Sequence, residues 1–210
     1  MLENCRHPAS REFDQAMKEE ITIGILIFQD AEELDFVGPH EVFGMARELG
    51  QLCQTLVIAE TLQPVRCAHG LRVLPDATID DAPDLDVLVV AGGSGARLHA
   101  RSNPNILQFV RQQPDIVASV CTGVAVLASA GVLDGLEATT HYAHFDMLRD
   151  HQEITLRESA RFVMHDRVAT AAGVTAGIDL SLALVARLFG GPVAEQIARN
   201  LEWDSQHWKK

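Results

Sequence analysis

The residues with most chemistry in them are Cys121-Thr122-Gly123, which sit between two apolar stretches of different character. Before them, Ile116-Val117-Ala118-Ser119-Val120 is short and β-branched, as suits a strand buried on both faces. After them, Val124-Ala125-Val126-Leu127-Ala128 is small and apolar all round, as suits a helix packed on a sheet. Strand, cysteine, glycine, helix is the order of a nucleophile elbow, with a thiol where a hydrolase carries serine. A sulfur at that corner faces a helix N-terminus, whose unpaired N–H groups favour the thiolate, so an exposed, low-pKa nucleophile is expected. The competing reading is a buried structural cysteine. Thr122 can donate a hydrogen bond into the same cleft or simply cap the helix.

Two further stretches offer partners. Asp35 lies between Leu34 and Phe36, where a solvated carboxylate is not needed. Partly buried beside a thiolate, it would have a raised pKa and could donate a proton; the alternative is a helix N-cap. Gly92-Gly93-Ser94-Gly95 follows the apolar run Val87 to Ala91, and its amides could hold developing negative charge. A phosphate-binding loop is the other functional reading, but neither its lysine nor G-x-G-x-x-G is present. Of the nine histidines, His141 and His144 are three apart, and Cys67 precedes His69 by two. Neither pair brings a third or fourth ligand at credible spacing, so no metal is expected.

These groups need a scaffold. Ile21 to Phe28, Thr55 to Ala59, Val87 to Ala91 and Ile116 to Val120 read as strands. Helices are expected from about Pro39 to Leu49, 105 to 113, beyond Cys121, 176 to 189 and 193 to 201. Hairpins are expected over 64–75 and 161–171, an acidic loop over 76–86, and a short strand near 139–142. Alternating strands and helices point to an α/β, doubly wound and mostly parallel sheet. If the strands ending at Phe28, Ala91 and Val120 are neighbours, Asp35, Gly92-Gly93 and Cys121 converge on one cleft outside their carboxyl ends.

The composition sets limits. The 210 residues are 47% hydrophobic and 22% charged, which fits one globular domain over 21–210, with residues 1–20 as an N-terminal extension. A formal charge of −12 without a Lys/Arg-rich run argues against nucleic acid as a partner. No run approaches the ~20 apolar residues of a membrane span, and residues 1–20 lack a signal-peptide core, so a cytoplasmic location is the default expectation. Cys5, Cys53, Cys67 and Cys121 form no C-x-x-C pair, and reduced thiols are expected, with Cys53 and Cys67 in the core. Trp203 and Trp208 are expected to cover a subunit contact.

Taken together, Leu34-Asp35-Phe36-Val37-Gly38-Pro39, Ala91-Gly92-Gly93-Ser94-Gly95, Ser119-Val120-Cys121-Thr122-Gly123, Ala138-Thr139-Thr140-His141 and Thr175-Ala176-Gly177-Ile178-Asp179 resemble the ThiJ/PfpI superfamily, and within it the isocyanide hydratase branch. The resemblance covers about residues 21–203. It implies a flavodoxin-like, class I glutamine amidotransferase-like fold, usually a homodimer, acting on a small-molecule substrate. It also implies roles: Cys121 as nucleophile, Asp35 as acid/base, Thr122 as hydrogen-bonding partner, and Gly92, Gly93 and Ser94 around the anion-stabilising pocket. The activity it implies is hydration of an isocyanide to a formamide through a thioimidate, without metal or organic cofactor. Thr122 replaces the histidine of protease-like members, Ala91 the proline and Tyr142 the tryptophan frequent among isocyanide hydratases. The sensing domains of AraC-type regulators share the Cys-Thr-Gly elbow, and a sensor of that kind is the alternative, alongside a glyoxalase-like enzyme acting on small 2-oxoaldehydes.

Overall fold

The computed structural model describes residues 20–113 and 115–209. Cys5 and the expected extension, but for Glu20, lie outside them. The chain forms β1 (Ile21–Leu26), α1 (Glu33–Glu48), β2 (Cys53–Ala59), β3 (Val65–Arg66), β4 (Arg72–Val73), β5 (Ala77–Thr78) and β6 (Val87–Val90). It continues through α2 (Ser94–Leu98), α3 (Pro104–Gln112), β7 (Ile116–Val120), α4 (Val124–Ser129), β8 (Glu137–Ala138), α5 (Asp146–Arg149) and β9 (Thr155–Leu156). It closes with β10 (Phe162–Met164), β11 (Val168–Ala171), α6 (Ala176–Phe189) and α7 (Gly191–Asn200).

Seven strands make one sheet in the order β10-β11-β7-β6-β1-β2-β5, parallel except at β10. The central strands β6 and β7 are buried along their whole length, as their unbroken apolar sequences require. Helices α1, α6 and α7 pack together on one face, and α2, α3 and α4 on the other. This is the doubly wound, flavodoxin-like α/β architecture. The strands β7, β6 and β1 are indeed neighbours, so the three loops meet.

Several elements depart from expectation. Helix α1 begins at Glu33 instead of Pro39, because the Glu33 charge favours its N-terminus and Pro39 is carried inside it. Pro39 has no N–H, so the Asp35 carbonyl lacks its usual helical donor. Ala77–Thr78 extends the sheet from β2 within the expected acidic loop. The short strand expected near 139–142 lies earlier, at Glu137–Ala138. Helix α7 takes in Gly191 and Pro192, with the proline in its first turn. Near the C-terminal end, Trp203 Nε1 donates to Asp179 Oδ1 at 3.1 Å, and Trp208 is buried. Cys53 and Cys67 are buried as expected.

Candidate active site

The elbow is built from strain and close packing. Cys121 follows β7 with φ of +54°, a conformation that non-glycine residues seldom adopt. Its amide donates to the Ala172 carbonyl at 3.1 Å, and its carbonyl accepts from Thr140 Oγ1 at 2.7 Å. Gly123 lies so close to the Val90 and Ala91 carbonyls that a side chain there would overlap them. One 3-10 turn, Cys121–Gly123, leads into the six-residue α4.

Asp35 occupies the first turn of α1 and is fully buried. It is no N-cap. Its Oδ2 accepts the Gly92 amide at 3.0 Å, while Oδ1 meets no N–H or O–H within ordinary hydrogen-bonding reach among the described residues. The Cys121 thiol is the remaining polar group beside the carboxyl. Burial, reinforced by the charge of Glu32, raises the Asp35 pKa to about 8 against the Gly92 N–H and the thiol, which favour ionisation.

The thiol itself is not the exposed thiolate expected from the elbow motif. Cys121 is 7% exposed, and burial together with the Asp35 charge pushes it up to about 12. The amides of Thr122 and Val174 and the Thr122 hydroxyl act in the opposite sense and are outweighed. A helix as short as α4 offers too small a dipole to offset the desolvation. At neutral pH the pair therefore rests as a carboxylic acid beside a thiol.

The glycine loop is also used differently. The Gly93 amide donates to Thr122 Oγ1 at 3.0 Å, and Thr122 Oγ1 lies 3.1 Å from the Gly93 carbonyl. With the Gly92 amide bonded to Asp35, neither of these two N–H groups faces an incoming anion. They form the joint between β6, α1 and the elbow. A side chain on Gly92 would come within 2.5 Å of Asp35 Oδ2 and 2.7 Å of the Thr122 nitrogen. Thr122 is thus a clamp on the loop, fully buried, with its hydroxyl turned to Gly93.

A cleft of about 290 Å³ opens over the elbow, lined by Glu32, Ala68, Gly93, Ser94, Arg97, Cys121, His141, His144 and Val174. Ser94 is the one member of the expected Gly92-Gly93-Ser94 set that presents a side chain to it. Larger hollows exist elsewhere, one of about 530 Å³ beside Arg187 and Trp208, but no nucleophile lines that hollow. Val174 was invisible in the sequence. Its φ of +43° is a strained value for a β-branched residue, and its N–H is directed at the Cys121 sulfur. Behind it, Arg161 Nε donates to the buried Asp179 at 2.8 Å, and Arg161 also donates to Thr175 Oγ1 at 2.8 Å. The preceding Gly173 leaves room for the His141 ring, which any side chain there would strike.

Glu32, Glu33 and His69 place one ligand atom each within 4.8 Å of one another at the mouth. Their hydrogen bonds explain the grouping: Glu33 accepts the His69 amide at 2.7 Å and faces His69 Nδ1 at 2.9 Å. They brace the β3–β4 turn against α1.

The model of the DJ-1/PfpI family matches residues 21–187. Isonitrile hydratase of Pseudomonas putida is 36% identical over 87% of this chain and 78% of its own length. The HTH-type transcriptional regulator GbdR of Pseudomonas aeruginosa is 28% identical over 84% of this chain, which spans 49% of that regulator. Among solved structures, a ThiJ/PfpI family protein from Pseudomonas syringae superposes with a TM-score of 0.81 at 31% identity, covering 98% of this chain and 83% of that one. The match runs from β1 into α6 and takes in the elbow, the acid and the loop between them, and on that extent the protein belongs to the DJ-1/PfpI family.

Proposed function

We propose that this protein adds water to an isocyanide, R–N≡C, to give the N-substituted formamide. One observation carries the reading: Asp35, buried and protonated near neutral pH, stands beside the thiol of Cys121, the residue through which the pair meets a narrow cleft. The terminal carbon of an isocyanide must receive a proton and a nucleophile at the same atom. An acid and a thiol placed side by side meet that need.

Asp35 gives its proton to the isocyanide carbon as the sulfur bonds to it, and the carboxylate takes up the thiol proton. The product is a thioimidate, R–N=CH–S, on Cys121, with Asp35 protonated again. Water then attacks the same carbon. Asp35 protonates the imidate nitrogen and accepts a proton from the water. The tetrahedral adduct collapses to R–NH–CHO as the sulfur leaves and recovers its proton. Water is consumed, and both side chains return to their starting state. Covalent catalysis through a neutral thiol fits a site where burial disfavours the thiolate, since proton transfer and sulfur attack proceed together. The similarity to isonitrile hydratase supports the same chemistry.

The test is spectroscopic detection of formamide from an aryl isocyanide, with Cys121→Ala and Asp35→Asn beside the wild type. Each substitution should abolish turnover and leave the fold intact. Undiminished turnover in Cys121→Ala, or none in wild type with a reduced thiol, overturns the reading. The second reading is a sensing domain that binds a ligand at Cys121 without turnover, favoured by the match to GbdR over most of this chain.

A further inference from the structure

The outer wall of the cleft carries charge and hydrogen-bonding capacity that the hydration chemistry does not use. Ser94 and Arg97 lie three residues apart in α2, so they share a helix face, and both line the cleft. Arg97 is half-buried, and among the described residues its guanidinium has no ion-pair or hydrogen-bond partner. The Ser94 hydroxyl and the His144 ring are likewise without a hydrogen-bond partner there. The cleft's carboxylate, Glu32, is matched differently: it faces His69 Nδ1 at 3.5 Å, and the Glu33 hydrogen bond, followed by the Glu32 charge, raises the His69 pKa. Burial and the Arg97 charge hold His144 below its usual pKa, which leaves a neutral ring able to donate one N–H.

A partly desolvated guanidinium that no carboxylate pairs with among the described residues, beside a hydroxyl and an imidazole, has the donors that recognise a carboxylate. We infer that the cleft seats a carboxylate of the substrate on Arg97, with Ser94 and His144 completing its hydrogen bonds. Resting on the hydration reading, this makes the substrate class an isocyano carboxylic acid and the product an N-formyl amino acid. The cleft is at the small end for ligand sites, so isocyano and carboxylate groups a few bonds apart suit it. Arg97 is a specificity residue in this scheme and takes no part in bond making.

The first experiment reads the cleft's charge without relying on turnover. Cys121 is alkylated with iodoacetate and with its neutral counterpart iodoacetamide, in wild type, Arg97→Gln and Arg97→Lys. The iodoacetate-to-iodoacetamide rate ratio should fall about tenfold in Arg97→Gln and be largely kept in Arg97→Lys. In unmodified protein, which needs no variant to fold, benzoate should slow iodoacetamide labelling of Cys121 more than benzamide does. A ratio indifferent to Arg97→Gln, with benzoate no better than benzamide, overturns the inference.

A second experiment compares turnover of methyl isocyanoacetate, which is neutral, with that of isocyanoacetate. Preference for the acid in wild type, lost in Arg97→Gln, supports the substrate class. Turnover of the neutral compound with no preference for the acid overturns it and leaves hydration standing. If neither compound is turned over, the hydration reading fails and the substrate class with it, while the labelling ratio still decides whether Arg97 holds an anion.

Discussion

The Gly92 amide donates to the Asp35 carboxyl at 3.0 Å, and no side chain can stand between them: a Cβ on Gly92 would lie 2.5 Å from that oxygen. This contact joins the end of β6 to the first turn of α1 and fixes the acid where the elbow sulfur arrives. It also decides what the carboxyl can be. One N–H bond and a thiol are too little to replace the water lost on burial, so the neutral form prevails to about pH 8.

The first prediction concerns pH and rate. Proton donation to the isocyanide carbon needs Asp35 protonated, so kcat/KM for a neutral isocyanide should hold steady through neutrality and fall above a pH of about 8. A pH–rate profile on benzyl isocyanide checks it. A rate still rising at pH 9 would assign the acid to another group.

The second concerns stability. In the unfolded chain Asp35 ionises in the ordinary carboxylate range, whereas the folded protein keeps it protonated to about pH 8. Below that range both states hold the proton and nothing is lost. As pH rises between the two values the unfolded state sheds a proton that the native state retains, so native stability declines. Asp35→Asn removes this penalty. Its melting temperature should exceed wild type by an amount that grows through the window, on the order of 10 °C at pH 8. Thermal melts at pH 4, 6 and 8 measure the trend.

Third, Gly92→Ala should fold and yet lose turnover by about 100-fold or more, because the new methyl group displaces either Asp35 or the Thr122 amide 2.7 Å away. Comparison of kcat/KM with far-ultraviolet circular dichroism separates a displaced acid from an unfolded chain.

Fourth, Arg161→Leu should cost about 3 kcal/mol in urea unfolding, because it strands the Asp179 carboxylate, which is fully buried and among the described residues then keeps Trp203 Nε1 alone as a donor. Asp179→Asn, which leaves no buried charge, should cost less.

The sequence carried the plan of this site better than its electrostatics. The convergence of Asp35, Gly92-Gly93 and Cys121 was legible because three apolar runs each end in a chemically distinct loop, and buried parallel strands aim such loops to one side. The starting point of α1 was not, since Pro39 usually marks a helix's first turn and here is enclosed by tertiary packing. The amides of Gly92 and Gly93 were available on paper, but their partners, Asp35 and Thr122, come from loops distant in sequence. The thiol was expected to be acidic because a motif shows a helix dipole and does not show how deeply a side chain is buried. Val174 and Arg97 left no signal at all. One matters through its backbone angle and the other through lacking a counter-ion among the described residues, and neither property is written in a residue type.

The left-handed backbone at Cys121 has a consequence for how this protein would respond to selection. Glycine is the residue that position favours on conformational grounds, by roughly 1 kcal/mol, since it alone meets no penalty at φ of +54°. A library randomised at position 121 and sorted for heat resistance should therefore drift toward glycine, while one sorted for a reactive sulfur should return cysteine. The same corner would answer two screens in opposite ways.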